Sequence, residues 1–177
     1  FMWKVGGARA AKGGSLDDVI ASAQNVVNRT KSICVGLEPC VIPALGHSNF
    51  KIEDGTMEFG VGHHGEAGTK VEKLKSASEM AQEMAETILN DFDFEEGKEV
   101  AVMLSSLGAT PVMELYVLYD EVEKVLAKAG HKVWKTYIGN YVTSLDMNGA
   151  SLTIVDLDDE IKELLSEPAV PIGMKNY

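Results

Sequence analysis

Apolar residues recur along this chain at two different periods. Between residues 16 and 27 the period is helical: Leu16, Val19, Ile20, Ala23, Val26 and Val27 lie three or four apart. Ser15 stands in front of them as a cap. Asp17 and Asp18 fall in the first turn, where the positive end of a helix favours acids. Residues 33–37 form a short continuous apolar run, which predicts a buried strand, and 39–49 is rich in turn formers and reads as loop. Residues 57–62 predict a second strand. Thr69-Lys70-Val71-Glu72 has the form of a capping box, and Val71, Leu74, Met80, Ala81, Met84 and Ile88 predict a helix directly behind it.

The second half repeats the theme. An acidic turn at 91–98 leads into a buried strand over 99–104. Thr110-Pro111 opens a helix with Pro111 as its first residue. Leu115, Leu118, Tyr119, Val122, Val125 and Leu126 supply its apolar face, and Gly130 is placed to stop it. Residues 133–138 and 152–155 read as strands. Asp158-Asp159-Glu160 starts a last short helix, and Pro168 and Pro171 mark the end of ordered structure. Phe1-Met2-Trp3-Lys4-Val5 is assigned no element; it reads like the interior of a domain, so the chain is expected to be part of a larger unit. Strands alternating with helices at irregular spacing predict an α/β fold: a two-layer domain with a mixed β-sheet covered by helices. There is no internal repeat and no low-complexity segment.

Composition narrows the classes. The 177 residues suffice for one domain with a sizeable core. The net charge of −11, without a basic cluster, argues against nucleic acid and anionic membranes as partners. No apolar run approaches the roughly 20 residues that span a bilayer, and the N-terminus lacks the pattern of a signal peptide. Cys34 and Cys40 are too few for a disulfide scaffold and do not match a zinc spacing. A reduced, cytoplasmic protein is the expectation. Both cysteines are expected to pack or sit near a turn, and Trp3 and Trp134 to anchor a core or an interface. His47 and His131 need no role.

Three segments could carry chemistry. Gly60-Val61-Gly62-His63-His64-Gly65-Glu66-Ala67-Gly68 sets two imidazoles among four glycines after a strand. It reads as a metal site, as a histidine acting on a substrate as base or nucleophile, or as a glycine-rich turn with incidental histidines. Adjacent strand residues point to opposite faces and no third ligand cluster is evident, so no metal site is expected. Residues 104–111 run from a strand through small residues to a helix start. That suits an anion or polar ligand, or is an ordinary strand-to-helix turn; it lacks the ending of a P-loop. Residues 139–151 read as a long hairpin connection, or as a loop bordering a ligand or partner.

Taken together these segments resemble the dihydroxyacetone-binding (K) subunits of dihydroxyacetone kinases. The matching pieces are the run from Met57 to Gly68, Leu107-Gly108-Ala109-Thr110-Pro111-Val112-Met113-Glu114-Leu115-Tyr116, and Tyr141-Val142-Thr143-Ser144-Leu145-Asp146-Met147-Asn148-Gly149-Ala150-Ser151. The family pattern around the histidine is Gly-x-Gly-x-His-Gly-Glu-Pro-Gly, so His64 takes the functional position, His63 an ordinarily apolar one, and Ala67 replaces a proline.

The resemblance implies the second subdomain of the K fold, with residues 1–177 as the C-terminal part of the domain and the N-terminal half, which holds a Gly-Gly-Gly-Ser-Gly-His-Glu segment and a catalytic aspartate, absent. It implies that His64 attacks the ketone of dihydroxyacetone or a similar short ketose and holds it as a covalent hemiaminal. Gly62 and Gly65 would let the sugar approach the backbone. No nucleotide motif is present, so ATP or ADP with magnesium would sit on a partner, the nucleotide-binding L subunit or domain, recharged in many bacteria through the phosphotransferase system. A homodimer is typical of the family. The alternative is a non-catalytic K-like sugar sensor acting as a transcriptional coactivator.

Overall fold

Ser15 caps its helix as expected: its hydroxyl accepts the Asp18 N–H, and Asp18 in return accepts the Ser15 N–H. The computed structural model describes residues 1–48, 50–64, 66–91, 94 and 97–172. The order of elements is α1 (Met2–Ala11), α2 (Leu16–Asn28), β1 (Thr30–Glu38), β2 (Thr56–Phe59), β3 (Lys70–Lys73), α3 (Ala77–Asn90), β4 (Glu99–Ser106), α4 (Val112–Lys128), β5 (Lys132–Gly139), β6 (Asn148–Asp156) and α5 (Asp159–Ser166). Two compact units divide the chain. One is Phe1–Thr30 with Val155–Tyr177, and the other is Lys31–Ile154.

The first unit is helical. Gly6 of α1 faces Ala23 and Val19 of α2, and buried Val5, Ala8, Val26, Ile161, Leu164 and Leu165 supply its apolar side chains. Asp158 caps α5 by accepting the Ile161 N–H at 2.7 Å. Arg29 pairs with Asp156, whose side chain is only 5 % exposed. Helix α1 had no counterpart in the sequence reading. Its two glycines disfavour a helix, and it shows no strong apolar stripe; small residues let it lie close to α2. Trp3 does not anchor the core, being 84 % exposed, and Leu16 and Ile20 of α2 also face solvent.

The second unit is a sheet in the order β3-β2-β1-β6-β4-β5, with β3 and β5 outermost. Strands β1–β2 and β2–β3 pair antiparallel and β4–β5 parallel, so the sheet is mixed. Side chains alternate across a strand. Val100, Val102 and Leu104 of β4 therefore share one face, and they form a single core with Met80, Met84 and Ile88 of α3 and Leu115, Leu118, Val122 and Leu126 of α4. Sheet and helix pair make the two layers expected. A smaller apolar cluster joins Cys34, Cys40, Val61, Leu107 and Met147. Among the described residues no helix is long and apolar enough to cross a membrane.

The structure differs from the pattern reading at several boundaries, the strand read over 57–62 ending at Phe59 among them. The helix placed behind Thr69 begins only at Ala77: residues 70–73 are strand β3, and the Thr69 hydroxyl donates to the Phe59 carbonyl instead of capping. The capping box is Ser76 with Glu79. Pro111 is the N-cap of α4, one residue outside it. Residues 139–151 are not a hairpin connection, because β5 pairs with β4 and β6 lies on the far side of β4. Strand β6 starts at Asn148, where small polar residues had masked it. The acidic turn at 91–98 includes 92, 93, 95 and 96, which lie outside the described residues.

Candidate functional site

Strand β2 delivers the chain into the glycine-rich loop. The Gly60 N–H still donates to the Cys34 carbonyl at 2.7 Å, continuing the pairing of β2 with β1. The loop then closes at its base. Phe59 carbonyl accepts the Thr69 N–H at 2.8 Å, and the carboxylate of Glu58, itself nearly buried in β2, accepts the Gly68 N–H at 2.5 Å.

Inside this base Glu66 makes a second, tighter turn. Its carbonyl accepts the Gly62 N–H at 3.0 Å, and its carboxylate accepts the His64 N–H at 2.9 Å. The carboxylate folds back over Gly62, where a Cβ would stand 2.1 Å from Glu66 Oε2. Only glycine admits this approach. The N–H groups of Glu66 itself and of His64 hold the Glu66 carboxyl below the ordinary carboxylate range.

The two histidines end up in different places. His64 projects outward with 91 % of its side chain exposed, and its Nδ1 lies 3.5 Å from Glu66 Oε1. His63 turns inward: its Nδ1 is 4.0 Å from Cys34 Sγ, and its Nε2 is enclosed with no hydrogen-bond partner among the described residues. Burial pushes the Cys34 thiol up, so it stays protonated at neutral pH. Gly65 lies outside the described residues. His63 stands beside the small apolar cluster that holds Cys34. Among the described residues no three His, Cys, Asp or Glu side chains are grouped to hold a metal ion.

The other two segments meet around this loop. In 104–111 the amides are already used: Leu107 N–H donates to Gly149, Gly108 N–H to the Ser106 hydroxyl and Ala109 N–H to Met147. These three bonds are those of an ordinary strand-to-helix turn. Thr110 Oγ1 accepts the Gly149 N–H at 2.8 Å and so ties the turn to β6. The loop between β5 and β6 is folded over the same turn. Ser105 Oγ accepts the N–H groups of Tyr141 and Val142, each at 3.0 Å, and Leu107 carbonyl accepts the Ser144 N–H at 2.6 Å. Ser144 Oγ reaches the histidine loop and donates to the His63 carbonyl at 2.7 Å. The sequence had marked this loop as one that could border a ligand, but it did not single out Ser144. The only signal was the coexistence of three matching segments with no reason for the third.

Residues 1–172 match the family model described as Dak1 domain. Over 157 residues the chain is 40 % identical to the dihydroxyacetone-binding subunit DhaK of PTS-dependent dihydroxyacetone kinase 1 of Listeria innocua, covering 89 % of this chain and 48 % of the relative. Among solved structures it resembles the dihydroxyacetone kinase operon co-activator Dha-DhaQ, with a TM-score of 0.88 at 29 % identity over 94 % of this chain and 52 % of that one. It also resembles the dihydroxyacetone kinase of C. freundii, with a TM-score of 0.85 at 28 % identity over 94 % of this chain and 30 % of that one. The chain spans about half the length of the dihydroxyacetone-binding subunits it matches.

Proposed function

The chain belongs to the Dak1 domain family, and on that premise we propose that it is the ketose-holding part of a dihydroxyacetone kinase, with His64 as the residue that bonds the sugar. One observation carries the reading. The His64 imidazole stands exposed at the tip of a loop whose geometry is set from within, with Nδ1 beside the Glu66 carboxylate. A carboxylate at Nδ1 favours the tautomer that carries its proton there, which leaves the Nε2 lone pair for attack.

The chemistry then balances on this chain's own groups. The Nε2 lone pair adds to the carbonyl carbon of dihydroxyacetone, a C–N bond forms and the C=O π bond opens. The oxygen gains one proton, and Nδ1 loses the one it shared with Glu66. The product is a neutral hemiaminal that reverses by the same route. Glycerol has no carbonyl, so bond formation discriminates where hydroxyl contacts alone would not. Once held, the sugar presents a terminal hydroxyl, and phosphoryl transfer depends on such positioning. The sequence carries no P-loop ending, and the nucleotide and magnesium are assigned to a separate nucleotide-bearing subunit or domain.

Native mass spectrometry with dihydroxyacetone tests this. Addition of one sugar mass to the chain, lost in His64→Ala with the fold retained, is the expected result. His63→Ala should weaken capture less, and a larger loss there would move the role to His63. A second reading is favoured by the likeness to the Dha-DhaQ co-activator: a sensor that holds the sugar without turnover. Phosphate transfer to the sugar on adding a nucleotide-bearing L subunit separates the two.

A further inference from the structure

The peptide unit that joins His63 to His64 is held at both of its polar atoms. Its carbonyl oxygen accepts from Ser144 Oγ at 2.7 Å, and its N–H donates to Glu66 Oε2 at 2.9 Å. A peptide unit is planar. Fixing the carbonyl on one side and the N–H on the other therefore removes its freedom to rotate and sets the direction in which the His64 side chain leaves the backbone. Glu66 belongs to the loop itself and moves with it. Ser144 lies 81 residues away in sequence, on another loop.

That other loop is built to keep its place. Ser144 N–H donates to Leu107 at 2.6 Å, and the Ser144 carbonyl accepts the Met147 N–H at 3.0 Å. Asp146 Oδ1 accepts the Val41 N–H at 2.7 Å, and the Ser105 hydroxyl accepts the two amides at 141 and 142. Leu145, directly after Ser144, has φ of +53°, which non-glycine residues seldom adopt. An unfavourable backbone angle persists only where its surroundings impose it. Here it sits next to the hydroxyl that reaches the histidine loop.

We propose that Ser144 is a positioning residue: its hydroxyl, by holding the His63 carbonyl, fixes the His63–His64 peptide and with it the direction of the His64 imidazole. The proposal rests on the reading of His64 as the sugar-bonding residue, and it has a part that can be measured without sugar. Ser144 Oγ bonds the His63 carbonyl and not the His64 ring, so the proposed effect passes through the peptide to His64.

The test compares the wild-type chain with Ser144→Ala and Ser144→Thr, the second retaining a hydroxyl. Without sugar, 15N NMR follows the His64 amide and ring nitrogens and the exchange of the amide proton. Ser144→Ala should speed His64 amide exchange severalfold and shift the ring-nitrogen signals, and Ser144→Thr should restore both. With dihydroxyacetone, native mass spectrometry should show the adduct constant falling roughly three- to tenfold in Ser144→Ala, the range of one neutral hydrogen bond. Recovery is expected in Ser144→Thr, with thermal midpoints of all three chains alike. Unchanged His64 signals in a folded Ser144→Ala would overturn the assignment. Wild-type and Ser144→Ala chains that capture sugar equally would also overturn it, while leaving the role of His64 intact. A wild-type chain that captures no sugar, but whose His64 loses protection in Ser144→Ala, upholds the positioning and removes the sugar reading instead.

Discussion

Replacing Gly108 by alanine should damage the fold and the candidate site together. Gly108 has φ of +143°, and a Cβ there would stand 2.0 Å from the Leu145 carbonyl oxygen and 3.0 Å from its carbon. Carbon–oxygen contacts become comfortable only at about 3.3 Å. Residue 145 would have to retreat by about 1.3 Å, and it is bonded to Ser144. A shift of that size along the 2.7 Å Ser144–His63 hydrogen bond carries it beyond the roughly 3.5 Å at which such a bond ceases to count. The backbone angle costs about 1–3 kcal/mol and the enforced overpacking about 1–3 kcal/mol. At about 2–4 °C per kcal/mol for a chain of this size, the thermal midpoint should fall by roughly 4–24 °C. Calorimetry reads the midpoint and native mass spectrometry the retention of dihydroxyacetone. Gly55→Ala is the control: its φ is +74° but no atom lies within 4 Å of the added Cβ, so it carries the backbone cost alone. If Gly108→Ala melts within about a degree of the control and retains as much sugar, the account of this close approach is wrong.

Two further outcomes follow from charges. Arg29→Met strands the buried Asp156 carboxylate and should destabilise by about 2–3 kcal/mol, below the range for a fully buried pair because Arg29 is 30 % exposed. Arg29→Met with Asp156→Leu should recover most of it in a denaturant titration, and a single variant indistinguishable from wild type would refute the pairing. Glu66 is held below the usual value of about 4.3 by the N–H groups it accepts. Its clamp on the His64 amide is therefore complete above that value and is lost as pH falls through the lower, folded one. An NMR titration of the His64 amide should show its acid-side midpoint below about 4.3; a midpoint at or above it contradicts the geometry.

How much was legible in the chain depended on whether local chemistry decided the outcome. Ser15 with Asp18, Asp158 before α5 and the apolar stripe of α4 were readable because caps and periodicity act within a few residues. Thr69 failed as a cap because its hydroxyl is used by Phe59, ten residues back across the β2–β3 pair, and sequence spacing does not report that competition. Strand β6 was underestimated because its first residues, Asn148 and Gly149, carry turn chemistry while pairing overrides it. At the site, the glycine run and the carboxylate after His64 were visible as a constellation. The inward turn of His63 agrees with the ordinarily apolar position the resemblance gave it, whereas the reach of Ser144 was not visible, since it depends on how distant loops pack.

The outer strands of the sheet have a consequence for how the protein behaves when concentrated. Strand β3 reads Lys70-Val71-Glu72-Lys73, and β5 begins Lys132-Val133-Trp134-Lys135. Another copy adding itself to either margin would have to strip water from ammonium groups such as Lys73 and from ion pairs such as Lys70 with Glu72 and Glu83 and Lys132 with Glu99. Runs of β-rich sequence that could seed a growing ribbon are thus guarded by cations in an otherwise anionic chain, and neutralising Lys70 and Lys73 would remove that guard.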